Sequence, residues 1–215
     1  MSRAVYIGGC GIGPQSAGRT AGVLQAHFEE VEPFTYPFAK KNPDIIRKAV
    51  KGAHVITLSM GIERIIGTSP EVLHMINPVL PRSQIKLMTG TIMKTFSAHA
   101  EESHSLGGIA RLLNFDATAL AEMAFNFPEY LGPVVNGRIA RFDAIKAAIN
   151  LKDNETRVIW TSTQGDLVFP PSDAQLHHAA ENGIEVVRMA GGHDKPALHP
   201  EEFYTEYFQR VSVDN

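Results

Sequence analysis

Residues 53 to 66, AHVITLSMGIERII, join a buried strand to a helix with almost no loop between them. The run AHVITL has the continuous apolar character of a strand that is covered on both faces of a parallel sheet. A helical pattern begins directly afterwards, so Ser59 is predicted on a sharp turn at the carboxyl end of the strand. Open α/β sheets bind their ligands at that edge, and the Ser59 hydroxyl is expected to face the crevice there.

Two interpretations of Ser59 follow from this stretch alone. A tight strand-to-helix turn around a nucleophilic serine needs small residues two positions before and two positions after it, because the two backbones pass close together. Gly61 meets this requirement and Thr57 meets it approximately, so the match to G-x-S-x-G is partial. The alternative is that Ser59 only caps a helix beginning near Met60, as serines commonly do. At this point both interpretations stay open.

The rest of the chain alternates short apolar runs with longer amphipathic ones, which predicts an α/β fold with a mostly parallel central sheet flanked by helices. Six strands are predicted, in AVYIGG, EEVEPFTYPF (an exposed edge), AHVITLS, SQIKLMTGT, TRVIWTSTQGD and IEVVRMAGGH. Residues 96–150 show helical patterns and no convincing strand. We therefore predict a core of residues 1–95 and 151–215 that is interrupted by a helical insertion of residues 96–150.

Composition narrows the possible partners. The 215 residues carry 20 basic and 23 acidic side chains and a net charge of −3, so the chain has no electrostatic footprint for nucleic acid, and a small-molecule partner is expected. No apolar run reaches the roughly 18 residues of a membrane span, and MSRAVYIGGCG lacks the apolar region of a signal peptide. The single cysteine, Cys10, fits a reducing compartment. We expect a cytoplasmic protein and leave open whether it forms a homo-oligomer.

Two downstream loops supply the partners that a serine nucleophile needs, which are a base and a carboxylate that orients it. Asp166 follows a predicted strand in TSTQGD, and His193 follows the last predicted strand behind two glycines in MAGGH. Both are therefore expected at the same sheet edge as Ser59. The order Ser59, Asp166, His193 is the one that serine hydrolases with this kind of sheet follow.

With these residues the sequence resembles the α/β-hydrolase superfamily, in particular its small esterase-like and lipase-like members. The resemblance rests on TLSMG, QGDLVFPPSDAQLHH and AGGHDKPALHPEEF. It implies a trimmed α/β-hydrolase fold of about six strands, with Ser59 as the nucleophile, Asp166 as the orienting acid and His193 as the general base. It also implies that the insertion of residues 96–150 is a helical lid over the pocket.

An oxyanion hole is expected beside Ser59, because backbone N–H groups aimed at the developing charge can contribute about 3 to 4 kcal/mol in the transition state. Met60, directly after the nucleophile, would supply one donor. By resemblance, GGC after the first strand places Gly9 and Cys10 at this corner, with the Cys10 N–H as the second donor. The alternative, a dinucleotide-binding loop, fits poorly because the third glycine of G-x-G-x-x-G falls on Pro14 or Ser16.

A metal site is a further alternative, since the chain has nine histidines. The candidates are His177, His178, His193, Asp194 and His199. Neighbours such as His177 and His178 point about 100° apart on a helix, and no H-E-x-x-H motif or cysteine pair accompanies them. We therefore expect no metal and no organic cofactor.

These observations predict a serine hydrolase that cleaves an ester or related acyl bond of a small or lipid-like substrate. If the insertion is a lid, aromatic and methionine side chains within it should line an apolar acyl or alkyl pocket: Phe96, Phe115, Met123, Phe125 and Phe127. Two alternatives remain at this stage. One is a binding or scaffold protein that keeps the fold without turnover. The other is a different reaction of the same superfamily, cofactor-free haloperoxidation or carbon–carbon bond hydrolysis.

Overall fold

The strands in the described part of the chain form one six-stranded sheet in which every neighbouring pair is parallel. The computed structural model describes residues 2–9, 12–80, 142–166, 169–193 and 195–211. The strands are β1 (Arg3–Ile7), β2 (Glu30–Phe34), β3 (His54–Leu58), β4 (Val72–Ile76), β5 (Arg157–Thr163) and β6 (Glu185–Met189). Their spatial order is β2-β1-β3-β4-β5-β6. This confirms the predicted fold class.

Helices connect the strands, as parallel pairing requires. They are α1 (Pro14–Leu24), α2 (Tyr36–Lys41), α3 (Pro43–Val50), a 3₁₀ helix (Ser59–Ile65), α4 (Ala144–Lys152), α5 (Asp173–Glu181), α6 (Lys195–Leu198) and α7 (Pro200–Arg210). The start of α5 is fixed by a capping box, in which the Ser172 hydroxyl accepts from the Gln175 N–H and the Gln175 side chain accepts from the Ser172 N–H.

The core lies on both faces of the sheet, and the alternation of side chains along β1 shows how. Val5 and Ile7 pack into one hydrophobic cluster with α3 and α4, whereas Ala4 and Tyr6 pack into the other with α1 and α7. Because both faces are covered, the inner strands have no side that faces solvent, which explains why their sequences do not alternate regularly between apolar and polar residues.

Strand β2 lies at one edge of the sheet, as its mixed sequence predicts. It carries Glu30, Glu32 and Pro33. Charges and a proline on an edge strand discourage pairing with another chain.

The structure corrects the sequence-based prediction at β4. The strand after the Ser59 turn is VLHMI, residues 72–76, which we had not predicted. His74 interrupts its apolar pattern, yet this side chain is buried. Its Nδ1 lies 2.7 Å from the Tyr207 hydroxyl, which supplies the hydrogen-bond partner that a buried imidazole needs. The strand predicted in SQIKLMTGT begins at residue 83 and lies outside the described residues.

The boundary of the predicted insertion also changes. Residues 144–150 belong to α4, whose buried face packs in the core cluster beneath the sheet, so this part of the 96–150 segment is core. Residues 96–141 lie outside the described residues. In the part of the chain that is described, no helix is long and apolar enough to cross a membrane.

Candidate active site

Ser59 occupies the turn between β3 and the 3₁₀ helix, and its backbone is in the left-handed region with φ 53°. Such a conformation costs a non-glycine residue on the order of 1 to 3 kcal/mol, and strain of this kind concentrates at functional sites. The N-cap of the helix is Leu58, and no side chain caps it. The interpretation in which Ser59 only caps the helix is therefore wrong.

The turn is as tight as the sequence predicts. A Cβ added to Gly61 would lie 2.5 Å from the Ile7 carbonyl oxygen at the end of the neighbouring strand β1. A Cβ added to Gly9 would lie 2.9 Å from the Ser59 Cβ and 2.9 Å from the Leu58 carbonyl oxygen. The loop after β1 thus passes directly against Ser59, and only glycine fits at these two contacts.

His193 lies between Ser59 and Asp166. Its Nε2 is 3.2 Å from the Ser59 Oγ, and its Nδ1 is 2.8 Å from the Asp166 Oδ2. An ionised carboxylate can only accept hydrogen bonds, so this contact puts the imidazole proton on Nδ1 and leaves Nε2 able to accept the Ser59 hydroxyl proton. The three side chains that the sequence singles out are therefore in contact as a chain of two hydrogen bonds.

Asp166 is buried and oriented by its own loop. Only 2% of its surface is exposed, and its Oδ1 accepts a 2.8 Å hydrogen bond from the Phe169 N–H. The Phe169 ring lies 5.5 Å from the His193 ring, centroid to centroid. Phe169 carries no titratable or nucleophilic group, so nothing in the sequence marks it as a site residue. Phe169 thus holds the Asp166 carboxylate through its backbone N–H and packs against the His193 ring through its side chain.

The 3₁₀ helix that begins at Ser59 is braced by a partly buried ion pair. The Arg64 guanidinium and the Tyr36 hydroxyl each lie 2.5 Å from the same oxygen of Glu63. The guanidinium also lies 4.8 Å from the centroid of the Tyr36 ring. These contacts connect the helix to α2, so the turn that carries Ser59 is supported from outside the sheet.

The predicted oxyanion hole is described only in part. Met60 follows Ser59 directly and is buried, and Gly9 lies against Ser59 from the opposite loop. Cys10, the predicted second donor, lies outside the described residues. So do the predicted pocket residues Phe96, Phe115, Met123, Phe125 and Phe127.

The candidate metal-binding histidines do not come together in the described part of the chain. His193 is engaged with Asp166 and Ser59, and His177 pairs with Glu181 on the surface of α5 at 3.1 Å. Among the described residues, no group of three or more His, Cys, Asp or Glu side chains is placed to hold a metal ion. Asp194 is outside them.

Comparison with known proteins identifies the fold through structure and not through sequence. No protein-family model matches the chain, and no curated protein matches its sequence. A hydrolase from Oleispira antarctica has a TM-score of 0.62 at 12% identity, covering 98% of this chain and 92% of its own. A monoacylglycerol lipase from Paleococcus ferrophilus has a TM-score of 0.58 at 14% sequence identity, and the match covers 97% of this chain and 92% of the lipase. An enol-lactonase from Burkholderia xenovorans LB400 has a TM-score of 0.55 at 15% sequence identity, and the match covers 97% of this chain and 90% of the lactonase.

The chain therefore has the α/β-hydrolase fold. Its strand order also differs from the 3-2-1-4-5-6 order of the dinucleotide-binding fold, which was the alternative for the glycine-rich loop after β1. Because identities of 12 to 15% establish the fold alone, the chemistry has to be argued from the site.

Proposed function

We propose that the protein is a serine hydrolase that cleaves an ester or related acyl bond through an acyl-enzyme intermediate. The observation that carries this proposal is the arrangement of His193, with Nε2 at 3.2 Å from the Ser59 Oγ and Nδ1 at 2.8 Å from the Asp166 Oδ2. A serine hydroxyl needs a base within this distance, and the base needs an orienting carboxylate on its other nitrogen.

In the first half of the proposed reaction, the Ser59 Oγ attacks the carbonyl carbon of the substrate while His193 Nε2 accepts the hydroxyl proton. The carbonyl oxygen becomes negatively charged, and backbone N–H donors of Met60 and of the Gly9–Cys10 loop would stabilise it. His193 then returns the proton to the leaving alcohol, and the carbon–oxygen bond breaks. Asp166 stays ionised throughout and stabilises the imidazolium.

In the second half, water replaces the alcohol. His193 Nε2 accepts a proton from the water as its oxygen attacks the acyl-enzyme, and the bond to the Ser59 Oγ breaks. The carboxylic acid leaves, and Ser59 regains its proton. The cycle consumes one water and needs no redox partner. The proposed reaction uses no cofactor.

The structural neighbours support an acyl-bond reaction without defining its substrate. Their names include an enol-lactonase, a monoacylglycerol lipase and an N-formylmaleamic acid deformylase, which act on different acyl bonds. We therefore propose a carboxylic-ester hydrolase as the first subclass to test. We also propose an apolar acyl or alkyl pocket with Phe96, Phe115, Met123, Phe125 and Phe127 of the predicted insertion in its wall.

The proposed partners and location follow from the composition. A net charge of −3 favours a small-molecule substrate over nucleic acid. The single cysteine of the chain is typical of a reducing compartment, so the cytoplasm is the proposed location. A homo-oligomer is compatible with these properties.

The test is hydrolysis of p-nitrophenyl acetate, butyrate and octanoate by wild type and by Ser59→Ala. The matched control is Ser69→Ala, which removes an exposed hydroxyl from the loop between the 3₁₀ helix and β4. We expect turnover of at least one ester, a loss of about 10³-fold or more in Ser59→Ala, and no change in Ser69→Ala. A mass increase by one acyl group, seen early in the reaction of wild type and of Ser69→Ala and absent from Ser59→Ala, would identify the intermediate.

Two results would reject the proposal. If folded wild type hydrolyses none of the esters and acquires no acyl group, a binding role in the same fold becomes the better hypothesis. If Ser59→Ala retains the activity, the hydrolysis occurs at another residue or in a contaminant.

A further inference from the structure

Asn77 directly follows β4, the strand next to the one that leads into Ser59, and its side chain reaches two loops of the candidate site. Its backbone is left-handed with φ 43°, and only 2% of its surface is exposed. Asparagine tolerates this conformation better than most residues do. Its N–H donates to the Thr161 carbonyl at 2.9 Å, so the backbone continues the pairing of β4 with β5 for one more residue.

The side chain of Asn77 connects two loops of the candidate active site. Its Nδ2 donates to the His193 carbonyl at 2.8 Å. Its Oδ1 accepts from the Thr163 N–H at 2.9 Å and lies 3.1 Å from the Thr163 Oγ1. A single buried amide therefore joins the end of β5, three residues before Asp166, to the residue whose imidazole lies against Ser59.

The hydroxyl of Thr163 extends this connection. Its Oγ1 also lies 3.1 Å from the Gly192 carbonyl oxygen, and its one proton can serve either this oxygen or the Asn77 Oδ1 at a time. Two backbone hydrogen bonds join the same loops at the end of β6 and just beyond it: the Gln164 N–H donates to the Met189 carbonyl at 2.8 Å, and the Gly165 N–H donates to the Gly191 carbonyl at 2.9 Å. The Asn77 amide extends the connection to His193 itself.

We propose that Asn77 is a positioning residue for the reaction proposed above: its amide fixes the main chain of His193 so that the imidazole stays aligned with Ser59 and Asp166. The inference rests on that proposed function. The hydrogen bonds of the Asn77 amide go to the His193 backbone and to Thr163 and not to the side chains of Ser59, Asp166 or His193, so Asn77 acts through the His193 backbone. Displacement of a catalytic group by about 1 Å can cost about 10²-fold in rate, although no reacting group is removed.

Two variants of Asn77 separate the amide from the backbone conformation. Asn77→Gly keeps the left-handed backbone without strain and removes the whole amide. Asn77→Asp retains an oxygen for the Thr163 N–H and loses the donor to the His193 carbonyl. The matched control is Asn154→Gly, because the Asn154 amide also donates to a backbone carbonyl, that of Asn150. Asn154 lies in the exposed turn before β5, at the amino ends of the strands and away from the candidate site.

The readouts are the rate of covalent labelling by a fluorophosphonate, the kcat and KM for the best p-nitrophenyl ester, and the low-field proton resonance of the His193–Asp166 hydrogen bond. Asn77→Gly and Asn77→Asp are expected to label about 10 to 100 times more slowly than wild type. Their kcat should fall by a similar factor with KM within about twofold, and the low-field resonance should shift or broaden. Asn154→Gly should match wild type in all three readouts.

Circular dichroism and urea titration give the folded fraction of each variant, so that loss of function is separated from loss of fold. The inference is overturned if both folded variants label within twofold of wild type, or if the unfolded fraction accounts for the lower rate. If wild type itself does not label and hydrolyses no ester, the proposed function fails first and this inference fails with it.

Discussion

Replacement of Gly61 by alanine is the sharpest stability test that the candidate site offers. The added Cβ would lie 2.5 Å from the Ile7 carbonyl oxygen, 0.9 Å short of an ordinary contact of 3.4 Å. It would also lie 3.3 Å from the Thr57 Cβ. Ile7 ends β1, which is paired with β2 on one side and with β3 on the other, so this oxygen has little freedom to move away.

The strain of Gly61→Ala has to be relieved at the turn that carries Ser59. Overpacking of this kind typically costs 1 to 3 kcal/mol in the free energy of unfolding. For a chain of this size, about 1 kcal/mol corresponds to a lowering of Tm by roughly 2 to 4 °C. A shift of Ser59 approaching 1 Å should in addition lower the labelling or turnover rate by about 10²-fold.

The control for Gly61→Ala is the same substitution at Gly18, in the exposed middle of α1. A Cβ there meets no atom within 4 Å. Alanine is more favourable than glycine inside a helix by about 0.8 to 1.0 kcal/mol, so Gly18→Ala is expected to stabilise the protein and to leave activity unchanged. Urea titration and labelling are measured on both variants. If Gly61→Ala is as stable and as active as wild type, our account of the tight turn is wrong.

Three further predictions test other parts of the account. Asp166→Asn should fold normally yet lower kcat by about 10⁴-fold through the wrong histidine tautomer, measured by ester hydrolysis beside urea titration; unchanged kcat would show that the acid is misassigned. Burial, with His54 and Arg157 adding to it, lowers the pKa of His74 from 6.5 to about 3, so below pH 6.5 the unfolded chain binds a proton that the folded protein does not. The free energy of unfolding should therefore decrease on acidification, by up to about 1.4 kcal/mol per pH unit from this residue, and urea titrations of His74→Gln should show a smaller slope. Arg19→Met removes the exposed, two-point contact with Glu201 and should change the free energy of unfolding by no more than about 1 kcal/mol; a larger loss by urea titration would contradict this.

The parts of the fold that were predictable from the sequence are those set by local patterns. Strand β3 was visible because six consecutive residues before Ser59 suit a strand buried on both faces. The start of α3 is indicated by Pro43 after Asn42, and its end by Gly52 just beyond it. In the structure Gly52 has the left-handed φ of 62° that favours glycine there. Asp166 and His193 were recognisable because each follows a strand in a glycine-containing loop.

The parts that were not predictable depend on partners far along the chain. His74 made β4 unlike a buried strand, and its burial is explained by Tyr207, which lies 133 residues later. The strand predicted through residue 38 ends at Phe34, because Thr35 caps α2 by accepting from the Phe38 N–H. A threonine two residues before a proline is a weak helix signal inside an apolar run.

Asn77 shows the same limit at the site itself. An asparagine between a strand and Pro78 predicts a turn and nothing more. Its amide contacts the His193 carbonyl 116 residues away, and the contact exists only because β4 and β5 are neighbours and β6 follows them. Sequence reasoning can thus find residues that carry chemistry, whereas those that position them require the assembled sheet.

The most direct test of the central claim is mass spectrometry of the purified protein after reaction with a fluorophosphonate, with the modified peptide sequenced. Our account predicts one adduct, on Ser59, that is absent from Ser59→Ala and strongly reduced in His193→Ala. The account is contradicted if the folded wild-type protein acquires no adduct, or if the adduct lies on another residue and persists in Ser59→Ala.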